Sequence, residues 1–339
     1  MDIQVSGNAH SSYPCDTVYG LLWVDDEKSY AFPKQVPYCG EWGEALTNVI
    51  SLDPMDTLPV KLSVLWLSLY EEKYYKLDES LDRAALTLAL KDCEDATHIV
   101  VGMAPFGLCA LWINGPMKSI LIDCFKGEDF DADFSDLDVY STGLSFSQYC
   151  ALLSSRNDDL MTQKKLRPDL SLKYFKSLMA QYLYRYTVLF GRWEDGKWVD
   201  GQSEKVVSKL AWIHVKRFDG TYCKYDERLL TQYHSGGIPK KLDISWSNGK
   251  SEISAYFMME VDDITEIFNR FYGAHPDTKT DFIIHIDAKS KKYELGLYRQ
   301  GLKEPVVIPE CAYQLIVFKN KYEDYRSDNY NQPRGAWIW

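Results

Sequence analysis

Two short segments carry residue types that could attack an ester or acyl bond. Gly143–Ser147 reads Gly-Leu-Ser-Phe-Ser and approaches the Gly-x-Ser-x-Gly turn of lipases, in which small residues let a strand bend sharply beneath the serine. Its last position is serine, which favours an ordinary turn before a helix. His234–Gly237 places an imidazole beside the Ser235 hydroxyl, but no acid that would orient the imidazole can be named. We therefore predict no catalytic residue in either segment.

The histidines and cysteines show no spacing typical of a metal or redox site. The six histidines lie apart, and the eight cysteines include no Cys-x-x-Cys pair. The chain also lacks the His-Glu-x-x-His motif, a Walker loop and the Gly-x-Gly-x-x-Gly fingerprint. Isolated buried thiols are the expected state of the cysteines, although pairing among them is left open. We expect no metal, no cofactor and no enzymatic activity.

The composition is typical of a globular chain with an acidic surface. The chain has 339 residues, which favours two domains of ordinary size, and no stretch approaches the ~18 apolar residues of a membrane-spanning helix. The formal net charge of −11 opposes binding to nucleic acid or to an anionic lipid surface. A basic or neutral protein partner is easier to accommodate. The polar residues Ser6–Asn8 suit either a spacer after a lipid anchor or an ordinary terminus.

The elements that would position any site repeat between the two halves of the chain. Leu58–Trp66 aligns without gaps with Ile238–Trp246, and apolar residues recur with period two in both segments. Asp243, Ser245 and Ser247 alternate with the apolar residues of the second segment, so we predict that its strand has one wet face. The first copy has Leu65, Leu67 and Leu69 on that face of its strand, which predicts cover on both faces.

The same order of elements continues after each aligned segment. A second strand, an amphipathic helix, a buried strand and a hairpin follow in both halves, with helices predicted over 81–90 and 263–272. Asp263 and Glu266 are spaced as a capping box, and Gly273 as a helix stop. We predict an α+β fold of two tandem copies of an antiparallel sheet unit, β-β-β-β-α-β-β-β, each with one amphipathic helix.

The predicted organisation has three parts. Residues 1–125 form the first α+β lobe, residues 126–208 an acidic loop and a helical connection, and residues 209–339 the second lobe with an aromatic C-terminal tail. Within the connection, Ser145–Leu153 and Ser171–Tyr184 are expected to be helical, the second because it follows the helix-start signal Arg167–Asp169.

Several of these residues resemble a known family. Leu58–Tyr75, Val100–Gly107 and Leu111–Pro116 resemble the motifs of the bacterial domain of unknown function numbered twenty-nine thirty-one. One departure is Phe106, which stands where the family tends to have glycine. The resemblance covers about residues 13–225 and carries over no catalytic residue. It implies a periplasmic lipoprotein similar to the immunity proteins that accompany type VI secretion phospholipases.

The leading hypothesis is therefore an immunity protein that binds and neutralises a cognate type VI secretion phospholipase or lipase effector by blocking its active site. The alternative is an envelope lipoprotein that binds a glycan or small ligand in an aromatic cleft between the lobes, and a hydrolase is third. Periplasmic location with a lipid anchor outside this sequence is expected, with cytoplasmic location as the alternative.

Two segments are predicted to contact the partner. Carboxylates at the rim of an interface mainly speed encounter, while aromatic anchors commonly dominate binding energy. The alternative for the tail is a structural role, in which its tryptophans cover the core of the second lobe. The predicted contact residues are Asp129, Asp131, Asp133, Asp136 and Asp138 in the acidic run, and Tyr322, Tyr325, Tyr330, Trp337 and Trp339 in the tail.

Overall fold

The computed structural model divides the chain into two compact units. The first comprises Met1–Lys176 and Asp219–Thr221, and the second comprises Ser177–Phe218 and Tyr222–Trp339. The division falls inside the segment 126–208 that the sequence assigns to a connection. The residues that the structure describes are 3–31, 37–38, 40–45, 55–131, 133–134, 143–195, 197–200, 209–247, 251–273, 275–287, 292–309, 311–318 and 326–331.

The first unit contains two sheets and its own helices. Its strands are β1 (Gln4–Ala9), β2 (Cys15–Trp23), β3 (Ser29–Ala31), β4 (Pro37–Tyr38), β5 (Lys61–Ser68), β6 (Lys73–Ser80), β7 (His98–Met103), β8 (Leu108–Asn114), β9 (Ser119–Lys126) and β10 (Glu128–Phe130), and its helices are α1 (Arg83–Asp92), α2 (Phe146–Ser154) and α3 (Asp158–Leu166). Helix α4 (Leu172–Leu178) follows. The smaller sheet has the order β1-β7-β8-β9, and the larger has the order β10-β6-β5-β2-β3 with β4 paired to β2.

The second unit is built in the same way. Its strands are β11 (Tyr182–Glu194), β12 (Lys197–Asp200), β13 (Lys209–Arg217), β14 (Tyr222–Tyr225), β15 (His234–Gly236), β16 (Pro239–Ser247), β17 (Glu252–Met258), β18 (Thr280–Asp287), β19 (Lys292–Tyr298), β20 (Val306–Ile308), β21 (Ala312–Phe318) and β22 (Arg326–Asn331), and its helices are α5 (Glu227–Leu230) and α6 (Val261–Tyr272). One sheet has the order β12-β11-β18-β19-β20 with β15 paired to β11, and the other has the order β14-β13-β16-β17-β21-β22.

Both units use one strand order. The order β1-β7-β8-β9 corresponds to β11-β18-β19-β20, and β10-β6-β5-β2-β3 corresponds to β21-β17-β16-β13-β14. In each unit the first strand pairs in parallel with the strand that follows the helix. The predicted α+β fold of two tandem sheet units is therefore confirmed, and each copy also has a first strand and a last strand beyond the predicted set.

A β-bulge marks the equivalence of the two copies at residue level. The extra residue is Val18 in β2 and Ala211 in β13, and each follows the residue that pairs with a tryptophan. Those tryptophans are Trp66 in β5 and Trp246 in β16, and both are fully buried. A bulge bends a strand locally, so its recurrence at one register confirms that Trp66 and Trp246 occupy equivalent positions.

Each unit has a core to which both of its sheets and its helix contribute. In the first unit, Val64 of the larger sheet, Leu86 of α1 and Ile113 of the smaller sheet belong to one buried cluster. In the second unit, Phe268 of α6 and Phe282 of β18 do the same. The apolar face of each sheet and the apolar stripe of the helix are thus buried against one another.

Helices α2 and α3 cover the outer face of the first unit's larger sheet. Leu65, Leu67 and Leu69 pack there against Tyr149 and Leu160 of the helices. The predicted cover on both faces of this strand is confirmed. In β16 the burial alternates, with Asp243, Ser245 and Ser247 half-buried between buried neighbours, as the period-two pattern predicts.

Three local predictions are corrected by the structure. Ser6–Asn8 do not form a spacer, because they lie in β1 and are buried in its pairing with β7. The helix predicted over Ser171–Tyr184 ends at Leu178, and β11 begins at Tyr182. Helix α6 begins at Val261 after Glu260, whose side chain makes no capping hydrogen bond, so the predicted capping box is wrong, whereas Gly273 does end the helix.

Candidate functional site

The two segments that could carry a nucleophile have structural roles. Ser145 caps α2, since its Oγ accepts a hydrogen bond from the backbone N–H of Gln148 and the Gln148 side chain bonds back to Ser145. His234 Nε2 lies 2.8 Å from the backbone oxygen of Leu229, and exposed Ser235 lies in β15, opposite Leu183 of β11. The ordinary turn before a helix is therefore confirmed for Gly143–Ser147.

Two stretches that carry the family resemblance meet at the Glu71 carboxylate. It accepts hydrogen bonds from the Tyr75 hydroxyl, at 2.6 Å, and from the backbone N–H of Phe106. Phe106 adopts a φ of 59°, in the left-handed region that favours glycine. The backbone contact therefore forms in spite of the phenylalanine. Glu71 thus holds the turn at Phe106 in place.

Polar side chains on the outer face of β1 and β8 hold a neighbouring turn. Asn8 Nδ2 donates to the carbonyls of Glu41 and Glu44 at 3.0 and 2.7 Å, and Asn8 Oδ1 accepts from the Gly43 N–H at 3.2 Å. Asn114 Nδ2 donates to the Gly43 carbonyl at 2.8 Å. These buried side-chain amides provide hydrogen bonds to backbone groups that water does not reach.

The segment Asp219–Thr221 packs within the first unit on the same face. Trp112 Nε1 donates to the Asp219 carbonyl at 3.0 Å. Gly43 and Gly220 have φ values of 77° and 83°, and a Cβ on Gly43 would lie 2.7 Å from the Gly220 carbonyl oxygen. Both glycines are therefore required by backbone conformation and by close approach.

The predicted acidic contact residues lie at a sheet edge where they are described. Asp129 is exposed in β10, and its Oδ2 lies 3.5 Å from Lys73 Nζ. Asp131 and Asp133 follow and are exposed, whereas Asp136 and Asp138 lie outside the described residues. Short, charged edge strands resist pairing with other chains. A structural role of the run in protecting the edge thus stands beside its predicted role in partner binding.

The predicted aromatic contact residues lie almost entirely outside the described residues. Tyr322, Tyr325, Trp337 and Trp339 belong to that part of the chain. Tyr330 lies in β22, whose backbone pairs with β21 opposite Gln314. The tail therefore contributes an edge strand to the sheet of the second unit that contains β16, and its role in binding stays a prediction.

The outer face of that sheet brings together polar and aromatic residues from several strands. Directly paired residues of antiparallel strands share a face, and the pairing defines three neighbouring rows. The rows, together called the β16 face, are Lys216, Lys241, Met258 and Ala312; Lys224, His214, Asp243, Tyr256 and Gln314; and Trp212, Ser245, Ser254 and Ile316. Lys224 Nζ lies 4.6 Å from the centre of the Trp212 ring.

Asp243 at the centre of the β16 face is held in an unfavourable environment. Its Oδ1 is shielded from solvent, and none of the described residues donates a hydrogen bond to it. Burial raises the pKa of Asp243 to about 6, although Lys241 and Lys224 act in the opposite direction. The ionised carboxylate therefore reduces the stability of the folded state at neutral pH.

The equivalent place in the first unit is satisfied. Ser63, which aligns with Asp243, donates its hydroxyl to Asp78 Oδ1 at 2.6 Å and accepts from Trp23 Nε1 at 3.0 Å. Lys61 Nζ lies 2.8 Å from the same Asp78 oxygen, and Lys61 and Ser63 lower the pKa of Asp78. One copy thus stabilises its carboxylate and the other leaves a carboxylate oxygen without a described donor.

No family model, curated protein or solved structure matches the chain. The family resemblance therefore stays a prediction. Among the helices that the structure describes, none is long and apolar enough to cross a membrane. Within the same residues, no group of three or more His, Cys, Asp or Glu side chains is placed to hold a metal ion.

The sequence did not single out Asp243 as a site residue. Its alternation with apolar residues predicted a wet face, which the half-buried outer residues of β16 bear out. The surroundings of the Asp243 carboxylate depend on strand pairing, which brings His214 and Tyr256 opposite it. A carboxylate in the middle of a central strand, where the other copy has serine, is the one signal that could have indicated it.

Proposed function

We propose that the protein is a non-catalytic inhibitor of the immunity-protein kind, which binds a type VI secretion phospholipase effector and covers its active site. The observation that carries the binding part of the proposal is the β16 face. A carboxylate that destabilises the fold, set among lysines and aromatic rings, is an arrangement that folding alone does not favour and that binding sites commonly contain.

The choice of effector rests on the family resemblance. That resemblance also supports a periplasmic location and a lipid anchor. The structural roles of Ser145 and His234 support inhibition over hydrolysis. Ser145 caps a helix, and His234 Nε2 lies against a backbone oxygen, so neither segment shows a serine activated by an oriented histidine base.

The direct test uses a purified type VI secretion phospholipase effector, chosen from the genes that neighbour the gene of this protein. We expect the two purified proteins to form a stable complex, seen by size-exclusion chromatography, and the effector to lose phospholipase activity in proportion to the complex formed. A tight complex would bury about 1,600 Å² in total.

Controls separate inhibition from hydrolysis. Ser235→Ala and His234→Ala variants should bind and inhibit as the wild type does. Hydrolysis of phospholipid by this protein alone, abolished by either substitution, would refute the proposal, as would failure of the wild type to bind the effector.

A further inference from the structure

Strand β6 of the first unit has an open edge that its counterpart β17 in the second unit does not have. Strand β10 pairs with only three residues of β6, and among the described residues no strand lies on that side of Leu77–Ser80. In the second unit, β21 pairs with β17 along its full length, from Glu252 to Met258. The second unit therefore shows what fills this place when a strand is present.

The open edge presents backbone groups in the alternation of an antiparallel sheet. The N–H of Leu81 donates to the Val60 carbonyl at 2.8 Å, which places Leu81 in a hydrogen-bonded pair on the β5 side. Alternate residues of a strand bond to opposite neighbours. The N–H and C=O groups of Asp78 and Ser80 therefore point away from β5, and both residues are exposed.

A carboxylate on the open edge favours a basic partner strand. Counted from the residues paired with the two buried tryptophans, Glu79 corresponds to Phe257. Phe257 is buried, and its ring centre lies 5.0 Å from that of Tyr313, its partner in β21. Glu79 is exposed, although it lies on the same side of β6 as the buried Leu77, and it forms no ion pair among the described residues. A lysine or arginine opposite Glu79 would form a cross-strand ion pair.

A second copy of the chain does not suit the open edge. Antiparallel pairing of two such edges would set the carboxylates of Asp78 and Glu79 against the same residues of the other copy. Like charges on directly paired residues destabilise a sheet. A short edge with charged side chains also discourages unselective pairing. The partner is therefore a different protein that carries a cation at the contact.

We infer that the effector adds an extended segment to the open edge of β6, antiparallel to β6 and with a lysine or arginine opposite Glu79. The inference rests on the proposed function, since it names the surface of the first unit that the complex uses. In strand addition, main-chain hydrogen bonds give affinity and side-chain contacts give specificity. Here Asp78 and Ser80 supply the main-chain groups, and Glu79 selects the partner by charge.

The test measures binding of the purified effector to variants of the full chain by biolayer interferometry. Ser80→Pro should raise the dissociation constant about tenfold, because proline lacks the N–H that points to the added strand. Ser80→Ala keeps this N–H and should bind as the wild type does. Glu79→Lys should weaken binding about tenfold by repelling the partner's cation. Glu94→Lys, the same charge reversal at an exposed residue outside the edge, should have little effect.

Hydrogen exchange of the backbone amides distinguishes strand addition from other contacts. The amides of Asp78 and Ser80 should exchange at least about tenfold more slowly in the complex than in the free protein. The amides of Leu77 and Glu79 should change little, because their N–H groups face β5 in both states. Unchanged exchange at Asp78 and Ser80 in the complex would overturn the assignment.

The binding outcomes separate the two proposals. If the wild type binds the effector and Ser80→Pro and Glu79→Lys bind equally well, the edge assignment is overturned and the proposed function stands. If the wild type does not bind, both fall. If the protein alone forms a dimer in sedimentation that Ser80→Pro dissociates, a second copy is the occupant and the assignment to the effector is overturned. If Ser80→Pro lowers the melting temperature, Glu79→Lys and the exchange pattern decide, since neither removes a backbone hydrogen bond of the fold.

Discussion

Replacing Asp243 with asparagine tests whether the ionised Asp243 carboxylate lowers the stability of the folded state. The folded state holds the pKa of Asp243 at about 6, above its ordinary value of 3.8. Between these pH values the folded protein keeps a proton that the unfolded chain has lost, so stability falls as pH rises through the window and stays reduced above it. Asparagine cannot ionise, so the variant should be more stable than the wild type above pH 6 and equal to it near pH 4.

The magnitude follows from the two pKa values. At 1.36 kcal/mol per pH unit, the difference between 3.8 and about 6 corresponds to about 3 kcal/mol. Asp243 is only half-buried, so solvent screening reduces the expected gain to roughly 1 kcal/mol. The groups that face the carboxylate are His214, Lys224, Lys241 and Tyr256. The pKa of about 6 already includes the attraction of Lys241 and Lys224 for the ionised carboxylate, an attraction that the asparagine variant lacks.

The assay is urea unfolding of both proteins at pH 4, 5, 6, 7 and 8, together with thermal melts. A gain of ~1 kcal/mol corresponds to about 2–4 °C in melting temperature for a unit of this size. Asp78→Asn is the control of opposite sign, because the pKa of Asp78 is lowered by its partners and the substitution should destabilise at neutral pH. Equal stability of the Asp243→Asn variant and the wild type at pH 8 would refute the reasoning.

Three further predictions concern the packing of the units. Gly43→Ala should destabilise by at least ~2 kcal/mol more than Gly143→Ala in urea unfolding, since both positions have positive φ but only Gly43 meets backbone where a Cβ would stand. Tyr149→Phe should cost roughly 2 kcal/mol by removing one hydrogen-bond donor from the buried Asp16 carboxylate, whereas Tyr74→Phe should cost little, because none of the described residues bonds the Tyr74 hydroxyl; equal costs would contradict this. Ending the chain before β22 should expose the edge of β21 and raise the mass measured by light scattering; an unchanged monomer mass would count against it.

The period-two alignment predicted the parts of the fold whose signal is local. Leu58–Trp66 and Ile238–Trp246 gave the central strands, and the helical stripe in each half gave α1 and α6. Alternation of one residue type with another is a property of a single strand. The alignment therefore also separated the covered outer face of β5 from the wet outer face of β16.

The parts that could not be predicted depend on distant residues. Strand β1 contains Ser6 and Asn8, which are buried because β7 and the turn at Glu41–Glu44 lie against them. The start of strand β11 was missed because the helix predicted after Arg167–Asp169 was continued to Tyr184. Tyr182, Tyr184 and Tyr186 nevertheless alternate as a strand requires. The candidate site at Asp243 is likewise defined across strands.

The tripeptide Asp219–Thr221 has a consequence for how the protein is made. It belongs to the first unit, although the chain of that unit otherwise ends at Lys176. During synthesis the ribosome must therefore add the intervening residues before Trp112 can find its carbonyl acceptor, a delay of roughly 2–9 s at ~5–20 residues per second. The first unit thus cannot finish maturing as an independent amino-terminal domain, and a gene cut at residue 176 would encode it with that indole N–H unsatisfied.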